Sequence, residues 1–336
     1  MSGDRRSRSL TSLPPANSQA VARSAAAVDA VLDAAGPALA GRMARVEERL
    51  AAAAAWARGP LADHAAATIA AGGKRLRPML VFLAAGEDAP PDDTGLIRAA
   101  AAVELVHSAT LVHDDVLDGS ALRRGRPTVV AAAGRDMAVA VGDLLFSRAF
   151  AELVANERID EVRVLSAASS ALAAGELLQR EDAWRADVPV ERYLRRCELK
   201  TARLFQAACE LGALETGAPA AGLGAFGARI GLAFQLLDDV LDVSGPPERT
   251  GKPRGTDLLD GTVTLPYILA RDRDPALPAP GEIDDADAVC DRIASTGALD
   301  DVRAQALELV AEAKALLPRP DRALELVADG VVDRYA

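Results

Sequence analysis

The sequence predicts an all-α fold built as a single domain. Three observations carry that reading: Ala and Leu dominate, apolar residues recur at spacings of three and four, and β-branched runs are too short for a series of alternating strands. The helices expected from that pattern run Gln19–Ala35, Pro37–Ala57, Leu61–Ala71, Leu76–Ala85 and Asp93–Asp118. They continue with Arg135–Asn156, Asp160–Gln179, Pro189–Leu214 and Ala220–Val243. Leu265–Ala270, Asp284–Ala294, Asp301–Leu317 and Pro320–Val332 complete the series. Breakers separate the segments: Gly36-Pro37, Gly59-Pro60, Gly72-Gly73, Pro90-Pro91, Gly125-Arg126-Pro127 and Gly245-Pro246-Pro247. Asp272–Gly281, rich in Pro and Asp, reads as a surface loop. Residues 1–18 read as a disordered basic tail; no apolar stretch follows its arginines, so no signal peptide is expected. Residues 19–336 then form one domain, with no internal repeat and no linker.

Composition excludes several classes. The chain has 336 residues and a formal net charge of −11, which argues against a nucleic-acid binder. No apolar run reaches the roughly 18 uncharged residues that a transmembrane helix needs. Cys197, Cys209 and Cys290 are odd in number and lack CxxC spacing, which suggests reduced thiols in a cytoplasmic protein. Of 38 basic residues only Lys74, Lys200, Lys252 and Lys314 are lysines. Where arginine is used so freely, a retained lysine marks a place suited to a compact ammonium.

Two carboxylate triplets stand out. Asp114, Asp115 and Asp118 form DDxxD after ELVHSATLVH. Asp238, Asp239 and Asp242 repeat it after FQLL, with Gln235 one turn earlier. On a helix, the first and last aspartates of each triplet share a face and the middle one lies to the side. Like charges one turn apart destabilise a helix, and both triplets end strongly apolar segments. A solvated acidic face is one reading. Hard cations held with a phosphate-bearing ligand are the other, and Mg2+ fits that donor set. Basic residues accompany the triplets: Lys74, Arg75 and Arg77 in GGKRLRP, Arg123 and Arg124 in RRGRP, Lys200-Thr201 in ELKTA, and Lys252 in GKPRG. Lys and Arg offer charge-assisted donors to phosphate oxygens, although KRLR taken alone also reads as a surface turn.

In order along residues 60–270, GGKRLRP, ELVHSATLVHDDVLD with RRGRPT, VGDLLFSRAF, the GE of Glu176 followed by Gln179, LKTA, and GLAFQLLDDVLD with TGKPRGTDL and TLP resemble the trans-isoprenyl diphosphate synthase (polyprenyl synthetase) family. The resemblance implies a helical bundle around a deep central cavity, with both aspartate motifs at its mouth. It implies a homodimer and Mg2+, three ions per active site, on Asp114, Asp115, Asp118, Asp238, Asp239 and Asp242. Lys74, Arg77, His107 and Arg124 would hold isopentenyl diphosphate, and Arg123, Lys200 and Lys252 the allylic diphosphate. Thr201 and Gln235 would lie beside the allylic carbon and, with Lys200, form the catalytic set, and Glu176 and Gln179 match a polar pair inside the cavity. The implied reaction is ionisation of the allylic diphosphate, attack by the isopentenyl double bond, and loss of a proton. The implied partners are these two substrates. Neither nucleic acid nor a membrane span is expected, although product release allows transient membrane contact.

Thr262 departs from the family, which commonly has a Lys there before TLP. Ala109 and Thr110 occupy the family's chain-length positions, the fifth and fourth before Asp114. Their small size, with no insertion and only 3% aromatic residues, favours a product of C30 or longer; a C20–C25 product is the alternative. From other classes, a non-catalytic partner subunit and a two-metal phosphohydrolase are the competing readings. Secondary candidates are His113 for hydrogen bonding beside the first triplet, Asp143 near the site, Arg254 and Asp257 for positioning the Lys252 loop, and Arg334 for reaching isopentenyl diphosphate.

Overall fold

The computed structural model describes residues 30–86, 92–245 and 253–333. Residues 1–18, the first part of the Gln19–Ala35 segment, Lys252 and Arg334 lie outside the described residues. A helical stretch at 30–35 leads into α1 (Ala38–Ala54), α2 (Pro60–Ala70), α3 (Leu76–Ala85) and α4 (Thr94–Leu117). A short hairpin, β1 (Leu122–Arg123) and β2 (Arg126–Pro127), follows, with Arg123 opposite Arg126. Then come α5 (Val129–Ala133), α6 (Arg135–Val154), α7 (Ile159–Asp182) and α8 (Val190–Cys197). A π-helical turn, Glu198–Ala202, joins α8 to α9 (Arg203–Thr216), and α10 (Ala220–Ser244) follows. The chain ends with α11 (Thr256–Leu259), α12 (Leu265–Arg273), α13 (Ala286–Ser295), α14 (Ala298–Ala315) and α15 (Arg322–Asp333).

The expected all-α bundle is what forms. The long helices lie where the apolar periodicity puts them, within a few residues. Two segments differ. The RRGRP segment, expected as a breaker, closes a two-residue hairpin too short to show alternation. Thr128 secures it: its hydroxyl donates to Ser120 O at 2.6 Å and accepts from Ala131 N at 3.2 Å, capping α5. The Pro189–Leu214 segment is not one regular helix but is widened at Glu198–Ala202.

α4 packs along α6, α9 along both α3 and α10, and α10 along α14. α4 and α10 are long and apolar enough to cross a membrane, although neither is free of charge. They are largely buried by protein, 72% and 56% of their most apolar windows, and act here as core helices. These two helices carry the two aspartate triplets at their C-terminal ends. The three cysteines are free and buried.

Candidate active site

The first triplet ends α4. Asp114 lies half-buried, with Lys200 Nζ 3.9 Å from its Oδ2. Burial pushes its carboxyl up to about 6, aided by the charges of Glu176 and Asp118 and opposed by Lys200. Lys200 Nζ also donates to Glu176 on α7. Burial would raise Glu176, but Lys200 and Arg180 hold it below the ordinary value. Asp118 caps α4 and meets Arg180 Nη2 at 2.5 Å. Asp115 turns away from this group into the interior, 4% exposed, and accepts Arg123 Nε at 2.9 Å.

The second triplet ends α10 in the same way. Asp238 is half-buried. Asp239 is buried and accepts the Tyr193 hydroxyl at 2.6 Å and Gln235 Nε2 at 2.8 Å. Burial, with Asp257 and Asp238 nearby, pushes its carboxyl up to about 8. Asp242 is buried and accepts Asp257 N at 3.2 Å. Asp115, Asp239 and Asp242, expected on metal with the other three, each accept a protein donor, as Asp118 does from Arg180. For Asp115 and Asp239 the cause is the helical angle, since the middle aspartate is rotated about 100° from the first toward neighbouring elements; Asp242, one turn from Asp238 and on its face, is reached instead by the backbone N–H of Asp257 in α11.

The π-turn links the two triplets. Lys200 reaches Asp114, and the adjacent Thr201 donates to Gln235 Oε1 at 2.7 Å; Gln235 in turn donates to Asp239. Two close backbone approaches set this register. A Cβ on Gly175 would lie 2.5 Å from Lys200 N, and one on Gly231 would lie 2.7 Å from Ala202 Cα. Only glycine admits these contacts, so α7 and α10 both press against the widened turn. A π-turn inserted at such a place often marks a functional site.

The basic side is built by the GGKRLRP turn, α4 and the hairpin. Gly73 brings the turn onto the hairpin, since a Cβ there would lie 3.1 Å from Arg124 Nη1. Lys74 is exposed. Arg77 stacks over Phe205, its guanidinium carbon 4.5 Å from the ring centroid, and its buried Nε has no hydrogen-bond partner. Burial lowers it to about 10, so it stays charged near neutrality. Burial and the surrounding arginines drive His107 well below the ordinary imidazole value, leaving it a neutral hydrogen-bonding group. A cavity of about 350 Å³ opens here, bordered by Gly72, His107, Arg123, Arg124 and Thr128. Arg75 and Glu104 also border this cavity, but Arg75 is committed within the protein: it is 8% exposed and bonded to Glu104 and Glu47.

Of the chain-length pair, Ala109 is completely buried, while Thr110 is half-buried with its hydroxyl on His107 O at 2.9 Å. His113 Nε2 lies 3.5 Å from Asp143. Arg254 ties its loop to Val243 O and Asp291, both at 2.9 Å. Thr262 N donates to Asp257 O at 2.7 Å. Lys314, outside the site, pairs with Asp329 at 2.5 Å. Two polar residues escaped the sequence reading. Arg180 was legible as a Glu176 partner at i, i+4. Tyr193 had no mark beyond its place two turns before Lys200.

Among the described residues no three His, Cys, Asp or Glu side chains converge as a cage for a metal ion. Pairs of carboxylates beside lysine and arginine donors instead suit Mg2+, which binds through one or two carboxylates, keeps several waters and takes further ligands from a phosphate-bearing substrate.

The sequence profile of the polyprenyl synthetase family matches residues 60–279. The chain is 43% identical over 231 residues to heptaprenyl diphosphate synthase component 2 of Geobacillus stearothermophilus, covering 68% of this chain and 72% of that one. It is 37% identical over 281 residues to geranylgeranyl diphosphate synthase of Methanosarcina mazei, covering 79% and 86%. The crystal structure of a polyprenyl synthase from Caulobacter crescentus, complexed with calcium and isoprenyl diphosphate, superposes with a TM-score of 0.80 at 36% identity, covering 94% of this chain and 98% of that one. With the ordered motifs assembled on one helical bundle, the chain belongs to the polyprenyl synthetase family and is a trans-prenyl diphosphate synthase.

Proposed function

We propose that the protein elongates an allylic diphosphate with isopentenyl diphosphate to an all-trans product of C30 or longer. The observation that carries the division of labour is the chain Asp114–Lys200–Thr201–Gln235–Asp239, which joins the two aspartate motifs through the π-turn. In this reading Lys200, Arg123 and Lys252 hold the allylic diphosphate and neutralise the departing pyrophosphate. Asp114, Asp118 and Asp238 would hold Mg2+, three ions in all, which would supply further electrostatic and Lewis-acid stabilisation of that leaving group. Thr201 and Gln235 direct oxygen atoms at the allylic carbon as positive charge develops. Arg77, with its free buried Nε, binds the isopentenyl diphosphate together with Lys74, His107 and Arg124. His107, being neutral, donates or accepts a hydrogen bond there and adds no charge. The leaving pyrophosphate accepts the final proton, so no dedicated protein base is required.

The small residues Ala109 and Thr110 support the long product, as does the similarity to a heptaprenyl synthase component. We place the enzyme in the cytoplasm, consistent with three free thiols. The assembly we propose is a homodimer, on the family's pattern. The Geobacillus stearothermophilus relative is named as one component of an enzyme, so the mass of the active species decides the point: activity only after adding a second subunit would overturn the homodimer.

The test incubates purified protein with Mg2+, isopentenyl diphosphate and separate C5, C10, C15 and C20 allylic diphosphates, with products read by mass spectrometry. Products of C30 or longer are expected. Arrest at C20 or C25 would overturn the length assignment. Pyrophosphate release without elongation would overturn the synthase reading.

A further inference from the structure

We propose that Arg180 is a tethered counter-ion of the first aspartate motif, held on Asp118 until a divalent cation binds, and that it thereby sets the motif's cation affinity. This rests on the reading that Asp114 and Asp118 receive Mg2+. The geometry is specific to Arg180. From α7 its Nε donates to Glu176 Oε1 at 2.8 Å, its Nη2 to Asp118 Oδ1 at 2.5 Å, and its Nη1 reaches Leu117 O at 3.5 Å. The guanidinium thus bridges two helices and sits at the C-terminal end of α4, where the helix dipole favours a cation.

Three carboxylates, Asp114, Asp118 and Glu176, share two cations in this arrangement. Lys200 covers Asp114 and Glu176; Arg180 covers Asp118 and Glu176. The reaction already has work for Lys200 at the diphosphate. Arg180 has none in the chemistry, yet it occupies an oxygen of Asp118. A dication approaching that carboxylate must displace the guanidinium from Oδ1 or share the carboxylate with it, against its positive charge. Glu176 retains a bond to Arg180 Nε when Asp118 is released, so the displaced guanidinium stays anchored. Arg180 is 37% exposed and Asp118 31%, so the ion pair is weak enough to exchange with a cation in solution.

The test is calorimetric titration of the full chain with Mg2+ alone, on the wild type, Arg180→Gln, Arg180→Lys and Asp118→Asn, with folding checked by circular dichroism. Arg180→Gln is expected to tighten Mg2+ binding by about three- to fivefold, the range a partly exposed ion pair supports. Arg180→Lys, which keeps the charge but loses the bridging fork, is expected to fall between it and the wild type. A second readout is thermal: metal-free Arg180→Gln melts lower than the wild type, and Mg2+ raises its Tm by more. Equal or weaker Mg2+ binding by folded Arg180→Gln would overturn the proposal. If that variant does not fold, an Arg180→Lys affinity equal to or below the wild type overturns it. Failure of the underlying reading has a different signature: wild-type Mg2+ binding that Asp118→Asn leaves intact.

Discussion

Within GGKRLRP, Arg75 is bonded to the protein's own carboxylates, whereas Lys74 and Arg77 are the cations proposed to bind isopentenyl diphosphate. Arg75 donates to Glu47 at 2.6 and 3.1 Å, to Glu104 Oε1 at 2.8 Å and to Ile69 O at 3.0 Å. The Arg75 and Glu104 side chains are 8% and 5% exposed. Burial raises the Glu104 carboxyl even though Arg75 and Arg77 pull it down. Arg75→Ala therefore strands a buried carboxylate, a change that costs about 3–5 kcal/mol. With an unfolding entropy near 0.7 kcal/mol/K for a chain of this length, Tm should fall by about 4–7 °C. The assay is thermal and urea unfolding at pH 7.5 beside the KM for isopentenyl diphosphate. Lys74→Ala is the control: Lys74 is exposed, so Tm should hold while KM rises. Replacing Arg75 and Glu104 together with Met should recover much of the loss, since a buried ion pair gains little over apolar packing. An Arg75→Ala variant with unchanged Tm and raised KM would refute this division and make Arg75 a ligand residue.

Tyr193→Phe removes a 2.6 Å donor from Asp239; loss of such an outer partner typically costs about 10–100-fold, here expected in kcat/KM with Tm little changed, and a drop below twofold would argue against Tyr193 as a positioning residue. Gly175→Ala forces a Cβ to within 2.5 Å of Lys200 N; activity should fall as Lys200 shifts from Asp114 and Glu176, and a normal rate would show that the close approach is not required. At the far end of the bundle, burial and the neighbouring Glu215 push Glu161 up to about 8. The folded chain then binds more protons than the unfolded one from the ordinary glutamate value up to that point, so this pair's contribution to stability falls as pH rises through that window. Glu215→Gln should relieve the repulsion and stabilise the protein more at pH 8.5 than at pH 5.5, measured by urea unfolding; an equal effect at both would reject a shared proton.

Much of this architecture was legible because helices announce themselves by period. The segment expected at Asp93–Asp118 forms at Thr94–Leu117, and its DDxxD is displayed at the end, as apolar spacing requires. What spacing cannot supply is the partner across the bundle. The π-turn at Lys200 depends on α7 approaching at Gly175, and nothing within ELKTA records that contact. The hairpin before α5 was hidden for another reason: two-residue strands carry no alternation.

The same limit explains why residues alike in sequence take different roles. DDxxD gives three equivalent carboxylates, but helical rotation sends Asp115 to Arg123 and Asp239 to Tyr193 and Gln235, while Asp114 and Asp118 stay on the side of Lys200 and Arg180. In GGKRLRP the backbone does the sorting. Arg75 adopts a left-handed conformation with φ of 48° immediately after the two glycines. That turn drives its side chain between α1 and α4, leaves Lys74 exposed and, at the start of α3, lays Arg77 over Phe205. A left-handed arginine is strained, and its bonds to buried Glu104 and to half-exposed Glu47 offset that strain. The ion pair thus holds the turn in the form that exposes Lys74 and lays Arg77 over Phe205, so a residue bonded to the protein's own carboxylates sets the placement of the two proposed to bind diphosphate.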